Sequence, residues 1–510
     1  MDSSKHAAPL VHTASSVRPE TLLVLLTGIL ETTVDLDTDG ILNRFNSGAR
    51  SLSKGSRPCF SSSTSSPPDA DSDPLYVDDR LKSALDAVAI LCVMEPQGEV
   101  YAVALETRAG KCTLYIACNG TPPALLEAYL NGIRGRLLQI SLSTAIDADK
   151  STGVPSNETI QALMQNMLMD CHKHGLKKIR RRLEKRKAGF DAYMAKLSQN
   201  PARVDVALRD KLCCLQGHLN VLVRMFEEQE PDDEIAVVIV YHASSLYEYL
   251  KEGSAELYLL QELDQEFATT GDGFTMRRFF EKLFAYYTAV MDLVSVTGSV
   301  AFWPLIKCNF TVVLVPGEHH VVSFPVRGQA VDAILTTFQE TALRHMHDSV
   351  EKTAKEPWSG YLDNAFTFQS HVHAVCALIS YLHRQQIRTY RYLGISKLAC
   401  YSCSRYINAY NALSEELDGS QEDFFMRGTR GKIYLPWILP HLGADRDQRI
   451  QENMMEEIRW DMEALLGREA MRQARPGSTD ISESENASST FGLCPDIEDR
   501  IERKKRKFGL

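Results

Sequence analysis

The feature that most constrains the fold is a pair of cysteines three residues apart, Cys400 and Cys403, with His373 upstream. The apolar periodicity predicts a helix over 372–382 with His373 in its first turn, a short strand over 389–395, and a second helix that begins at Cys400. Positions i and i+3 share one face of a helix, so both sulfurs point toward the same atom. A helix–strand–helix unit laid on a sheet would bring the two helix starts, and therefore the imidazole and the thiols, side by side.

These three side chains form a donor set that suits zinc. Two thiolates and one imidazole leave the fourth tetrahedral position open, which is typical of a hydrolytic rather than a purely structural site. The positive partial charge at the start of the second helix is expected to lower the pKa of the thiols and to favour thiolates. The sequence therefore predicts zinc as the cofactor, held by His373, Cys400 and Cys403.

The same segment resembles the zinc deaminases, in which H-x-E on one helix is followed by P-C-x-x-C on the next. It is most similar to a deaminase-like family of fungi and some intracellular bacteria. That family carries V-H-A-E, Y-I-G-x-S-K-L-x-C-x-x-C and R-G-x-x-G-K-x-Y-x-x-W segments. This chain reads VHAV over 372–375, YLGISKLACYSC over 392–403 and RGTRGKIYLPW over 427–437. The resemblance implies a cytidine-deaminase-like mixed sheet flanked by helices.

Two positions depart from the deaminase pattern. Ala399 replaces a proline that is not a ligand, which is a minor change. Val375 occupies the position of the catalytic glutamate, which in these enzymes moves protons between the attacking water and the base. A valine neither accepts nor donates a proton, and such general acid–base help contributes typically ~10²–10⁴-fold. The resemblance therefore implies a pseudoenzyme with no catalytic residue at this position.

Three interpretations stay open. The first is the impaired deaminase-like zinc domain, which binds a nucleotide, a nucleic acid or a protein partner. The second is an active nucleobase or nucleic-acid deaminase, a hydrolase of an amidine C–N bond, with a non-standard proton shuttle. For that shuttle, Glu340, Glu351 and Glu356 are candidates, and a register with His371 as ligand would place His373 at the glutamate position. The third is a helical interaction protein with a structural zinc.

Three further side chains are candidates for contact with a ligand, on sequence patterns that are less specific than that of the metal ligands. A glycine turn and strand over 428–437 are expected beside the site, where Arg430 and Lys432 are candidates for a phosphate contact. Trp437 is a candidate for either the pocket lip or the core.

Two clusters of charged or metal-binding residues in predicted helices are interpreted as ordinary surface features. The basic run over 177–187 predicts a solvated helix face, with nucleic-acid contact as the alternative. Cys171, His172 and His174 are expected at the surface without a metal.

Bulk properties restrict partners and location. A net charge of −10 excludes a chain-wide attraction to nucleic acid or anionic membrane. No signal peptide and no bilayer-length apolar stretch occur, so we expect an intracellular protein without a membrane partner. The basic tail Arg503–Lys507 suggests a nuclear as well as a cytoplasmic location. The sequence leaves the oligomeric state open.

The organisation predicted along the chain is α/β with a large α-helical elaboration. Strands over 99–107 and 112–118 should form a hairpin, and a second strand pair should lie near 310–326. The expected segments are an N-terminal tail with short helices (1–50), a disordered linker (51–75), an N-terminal α/β part (76–150), a mostly helical region (151–350), the deaminase-like zinc domain (351–470) and a disordered, basic-ended tail (471–510).

Overall fold

The fold is known from a computed structural model of the chain. It describes residues 79–96, 98–148, 157–199, 233–250, 264–265, 274–297, 306–324, 366–417, 423–429 and 437–473, with isolated positions between 210 and 226. The expectations for 1–50, for the linker and for the C-terminal tail lie outside the described residues. Among the described helices, none combines the length and the apolarity that a bilayer crossing requires.

Ten helices and six strands are named in the described ranges. In chain order they are α1 (Asp79–Leu91), β1 (Tyr101–Arg108), β2 (Lys111–Cys118), α2 (Leu125–Ala148), α3 (Asn157–His174), α4 (Leu176–Gln199), α5 (Asp233–Leu250), α6 (Met276–Leu283), α7 (Ala285–Thr297), β3 (Asn309–Leu314), β4 (His319–Phe324), β5 (Phe366–His371), α8 (Ala374–Arg384), β6 (Gly394–Ile395), α9 (Tyr401–Leu417) and α10 (Ala444–Gln473).

A mixed four-stranded sheet, in the order β3-β2-β1-β6, forms the centre of the fold. β1 and β2 make the predicted hairpin, and Gly110 takes a φ of 71° in the turn between them, which glycine adopts without strain. β6 pairs antiparallel with β1, whereas β3 pairs parallel with β2. The predicted α/β class with a mixed sheet is therefore confirmed at this coarse level.

The two faces of the sheet are covered by different helices. Val103 and Leu105 of β1 belong to a large apolar core that they share with α1 and with the helices α3, α4, α6 and α7. Tyr115 of β2 lies on the opposite face, where its ring centroid is 6.1 Å from that of Tyr381 on α8. The helical elaboration thus covers one face, and the helix that follows His373 covers the other.

The prediction that two strands near 310–326 pair with each other is wrong. Both strands are present, but β3 joins the main sheet beside β2, and β4 pairs with β5 in a separate two-stranded sheet. The Pro316-Gly317 segment does not form a hairpin turn, because Gly317 passes directly over Gly120: a Cβ at Gly317 would lie 2.1 Å from the Gly120 carbonyl oxygen.

Helix α1 contacts β6 at very short range. A Cβ at Gly394 would lie 2.3 Å from the backbone carbonyl carbon of Leu85, so only glycine fits there. The buried Asp86 accepts hydrogen bonds from the Ile395 N–H at 2.7 Å and from the Tyr392 hydroxyl at 2.8 Å. These contacts fix the strand that leads into the cysteine pair.

The chain divides into two compact units, 1–461 and 462–510. Within the first, α10 contacts α9 through Arg405, whose guanidinium forms salt bridges with Glu457, at 2.8 Å, and with Asp461. The described part of the second unit, 462–473, is the C-terminal part of α10.

Candidate metal centre

His373 is the N-cap residue of α8. Its carbonyl accepts the first helical hydrogen bond from the Ala377 N–H at 2.9 Å. Directly after β2, the Asn119 side chain accepts the Ala374 N–H at 2.7 Å, and the Asn119 N–H donates to the Val100 carbonyl at 3.1 Å. The edge of the sheet therefore fixes the helix start that carries His373.

Cys400 stands in the equivalent place before α9. Its carbonyl accepts the Ser404 N–H at 3.0 Å, and its sulfur accepts the Cys403 N–H at 3.4 Å. The Thr429 hydroxyl donates to the Ala399 carbonyl at 3.0 Å and holds the approach to the helix. Both predicted ligand-bearing segments are thus helix starts with fixed backbones.

The three predicted ligands lie together. His373 Nδ1 is 3.4 Å from Cys400 Sγ and 3.3 Å from Cys403 Sγ, and the three donor atoms lie within 4.8 Å of one another. Tetrahedral zinc bonds of about 2.3 Å to sulfur and about 2.0 Å to nitrogen would place these atoms roughly 3.5 Å apart. The spacing therefore fits one shared ion, and the S₂N donor chemistry fits zinc.

Burial controls the charge state of the thiols. Cys400 and Cys403 are both buried, and burial raises the pKa of each thiol well above its ordinary value. The lowering of these pKa values expected from the helix start is not seen, because burial is the largest influence on both thiols and raises their pKa. Thiolates at this depth require a cation beside them, which a bound metal ion supplies.

Val375 lies two residues beyond His373 and is only 4% exposed. Within the described residues, the cluster of metal-binding donors contains no carboxylate. Glu340, Glu351 and Glu356, the alternative proton carriers, lie outside the described residues. His371 is exposed, and its Nδ1 lies 3.1 Å from the Nδ1 of His319 across the β4–β5 pair, so it is engaged away from the cysteines.

Sequence reasoning missed a third thiol. Cys376 is fully buried on α8, and its sulfur lies 3.6 Å from the Cys403 sulfur. It stands at i+3 from His373, the same spacing that singled out the cysteine pair, so this signal was available. Cys376 is not among the donors that lie within 4.8 Å of one another.

Trp437 is fully buried beside the cluster. Burial raises the pKa of the Cys403 thiol, and the nearby Trp437 indole N–H offsets only part of that rise, because it forms no hydrogen bond of normal geometry. The ring centroid lies 6.4 Å from that of Tyr406 on α9. Trp437 therefore packs behind the sulfurs, while Arg430 and Lys432 lie outside the described residues.

Residues 372–441 match a family model described as OTT_1508-like deaminase. The matched segment contains all three clustered donors and Trp437. The chain thus carries a deaminase-like domain over these residues, with a His/Cys/Cys group that has the donors for a metal ion. The chain matches no curated protein and no solved structure.

The interaction of Asn119 with the deaminase-like domain gives a first prediction. Asn119→Ala should destabilise the protein by about 1 kcal/mol, because the Ala374 N–H loses its acceptor. Zinc affinity should fall roughly tenfold or more, because the ligand's backbone is no longer fixed. Competition with a chromogenic chelator measures the affinity. Asn119→Asp keeps the acceptor oxygen and should retain native affinity; equal affinity in both variants would contradict the positioning role.

The second histidine cluster is not at the surface, contrary to expectation. Cys171 and His172 are fully buried, and the His174 ring stacks on Tyr129 with centroids 3.7 Å apart. Burial lowers the pKa of both His172 and His174 to about 4. The apolar positions of α3 carry these residues into the core, because α3 is covered by α2, α5 and α7 rather than by solvent.

This burial predicts acid sensitivity. Between pH about 6.5 and about 4, the unfolded chain protonates each histidine whereas the folded chain keeps it neutral, so stability falls as the pH falls. For His172 alone, the free energy of unfolding should drop by about 2 kcal/mol between pH 7.5 and pH 5. Urea titrations at the two pH values measure this, and His172→Gln should show a smaller drop. An unchanged pH dependence in that variant would contradict a buried, neutral His172.

Proposed function

We propose that this chain is a zinc-binding, deaminase-like protein with a cytidine-deaminase-like fold, in which hydrolysis is impaired because Val375 replaces the proton carrier. The observation that carries the proposal is the convergence of one imidazole and two thiols at two helix starts, directly beside a buried aliphatic side chain. We further propose that the domain retains affinity for a nucleotide or a nucleic acid that it does not convert.

Each residue of the centre has a proposed task. His373, Cys400 and Cys403 hold the metal. Asn119 fixes the start of α8, and the indole N–H of Trp437 stabilises negative charge on Cys403. When bound at three protein ligands, zinc supplies a Lewis acid that lowers the pKa of a water molecule. Val375 excludes water from its side of the centre and offers no route for a proton to the leaving amine.

Ammonia release tests the impairment. Cytosine, adenine and guanine should be offered as nucleosides, nucleotides and single-stranded oligonucleotides to the native chain and to His373→Ala. We expect native turnover no higher than that of the metal-site variant. Turnover by the native chain that His373→Ala abolishes would contradict the proposal and favour an active deaminase with another proton shuttle.

A structural zinc site is a second candidate, favoured by the 3.6 Å separation of the Cys376 and Cys403 sulfurs. A rotation of the Cys376 side chain would complete a Cys₃His set, in which no position remains for substrate or water. The protein would then be an interaction module built around a closed zinc site.

Cobalt substitution separates the two candidates. Thiolate-to-cobalt absorption increases with the number of bound sulfurs, so Cys376→Ser should leave the spectrum unchanged if the site is open. A weaker charge-transfer band in Cys376→Ser would establish a third sulfur ligand and contradict the open site. Cys92→Ser, a buried thiol at the end of α1, is the matched control.

A further inference from the structure

A cavity lies between the main sheet and the helices α1, α2 and α7. It encloses about 130 Å³, and its lining comes from these helices, from β1, β2 and β3, and from Ile306 before β3. Most of the lining is aliphatic, as in Leu85 of α1, Leu114 of β2 and Leu293 of α7. An apolar cavity of roughly 150 Å³ stays dry and accommodates benzene, so this one has room for about six carbon atoms.

The cavity lies on the face of the main sheet opposite α8, the helix that carries His373 at its start. Leu114 lines the cavity, whereas the adjacent Tyr115 faces α8. Successive side chains of a strand point to opposite faces of the sheet. A ligand in the cavity is therefore separated by the sheet from α8, and the cavity is a site distinct from the candidate metal centre.

Arg134 is the one charged side chain among the described residues that line the cavity. Its guanidinium lies 5.4 Å from the centroid of the Phe310 ring. Arg134, Ile306 and Phe310 are partly exposed, whereas Leu85 and Leu114 are buried. The cavity therefore has an apolar interior and a cationic rim that is partly open to solvent.

The guanidinium of Arg134 is held in position but lacks a counter-charge. Its Nη2 donates to the Cys308 carbonyl at 2.5 Å and to the Ile306 carbonyl at 3.4 Å. In the part of the chain that the structure describes, its Nε–H is enclosed by protein without a hydrogen-bond partner, and no carboxylate forms an ion pair with it. A buried donor without an acceptor costs free energy, and a cation at the rim of an apolar cavity favours an anion.

We propose that this cavity binds a short aliphatic carboxylate of about four to six carbon atoms, which is the size that the volume admits. The alkyl chain fills the apolar interior, and the carboxylate accepts the Nε–H of Arg134 at the rim. A charge-assisted hydrogen bond of this kind is roughly twice as strong as a neutral one, and each buried methylene adds to the affinity. The inference stands apart from the proposed function, because it uses no residue of the metal centre.

Isothermal titration of the full-length protein with hexanoate, 1-hexanol and acetate tests the site. Hexanol has the chain without the charge, and acetate has the charge without the chain. We expect hexanoate to bind at least tenfold more tightly than either, because it alone uses both halves of the cavity. Equal binding of hexanol and hexanoate, or no binding of hexanoate to the native chain, would overturn the proposal.

The variant Arg134→Met removes the cation and keeps the apolar wall. It should lose tenfold or more in affinity for hexanoate and bind hexanol like the native chain, which also shows that the cavity is intact. Arg136→Met is the matched control, since Arg136 lies on the same helix and pairs with Asp170. Native affinity for hexanoate in Arg134→Met would contradict a carboxylate at this guanidinium.

A second variant tests the interior without touching the cation. Ala84 of α1 lines the cavity, and Ala84→Leu extends an alkyl group into it. The affinities for hexanoate and for hexanol should both fall tenfold or more, because the space for the chain is filled. Unchanged binding of hexanoate by Ala84→Leu would place the ligand elsewhere and reject the site, even if Arg134→Met does not fold.

Discussion

Cys400→Ser is expected to yield protein without zinc, whereas the native chain should retain about one zinc per molecule through purification. In this variant only Cys403 and His373 remain as donors. Two donors are too few to hold the ion in a buried site, where the ligands must also balance its charge. Because structural zinc contributes on the order of 10 kcal/mol in small zinc domains, the thermal midpoint should fall as well. Elemental analysis and thermal melting of the same samples measure both effects.

The control for this experiment is Cys92→Ala, which removes a fully buried thiol outside the centre. It should keep native zinc content, although its melting temperature also falls because a cavity forms. Equal zinc content in Cys400→Ser and native protein, or a native chain that carries no zinc, would reject the ligand assignment.

Val375→Glu is expected to create deaminase activity about 10²–10⁴-fold above the native level. The new carboxylate would stand two residues beyond His373, in the place where the deaminase signature has its proton carrier. A bound cation would stabilise the carboxylate at this buried position. Ammonia release from cytosine and adenine substrates measures the gain.

Val375→Gln is the matched control, because it has the size of glutamate without a group that transfers protons at neutral pH. It should remain as inactive as the native chain. Equal activity in the native chain, Val375→Glu and Val375→Gln, at a level that depends on His373, would show that the proton route does not pass through this position.

The local features of the metal centre could be predicted from the sequence, whereas the pairing of strands that are far apart in the chain could not. The turn at Gly110 is set by neighbours within a few residues, and the spacing of the cysteine pair fixes a shared face. The helix start at His373 also depends on Asn119, which is distant in the sequence. Of the strand expected over 389–395, Gly394 and Ile395 form the ladder with β1, the Tyr390 N–H adds one hydrogen bond to the Leu105 carbonyl at 2.8 Å, and Tyr392 bridges to Phe425. Periodicity gives no information on such partners.

The burial of polar side chains was the least predictable part. Lys178 and His172 sit in helices whose sequence suits a solvated face, yet neighbouring helices cover both residues. Their environment depends on contacts with α7, more than a hundred residues away along the chain, which a pattern within one helix does not contain. Cys376, in contrast, was accessible to the same i+3 rule that identified Cys403.

X-ray absorption at the zinc edge of the purified native chain identifies the atoms that surround the ion. We expect one zinc with two sulfur neighbours at about 2.3 Å and an imidazole nitrogen at about 2.0 Å, the remaining position being taken by a light atom. An ion without sulfur neighbours, or a spectrum unchanged by Cys403→Ser, would contradict a shared site of His373, Cys400 and Cys403.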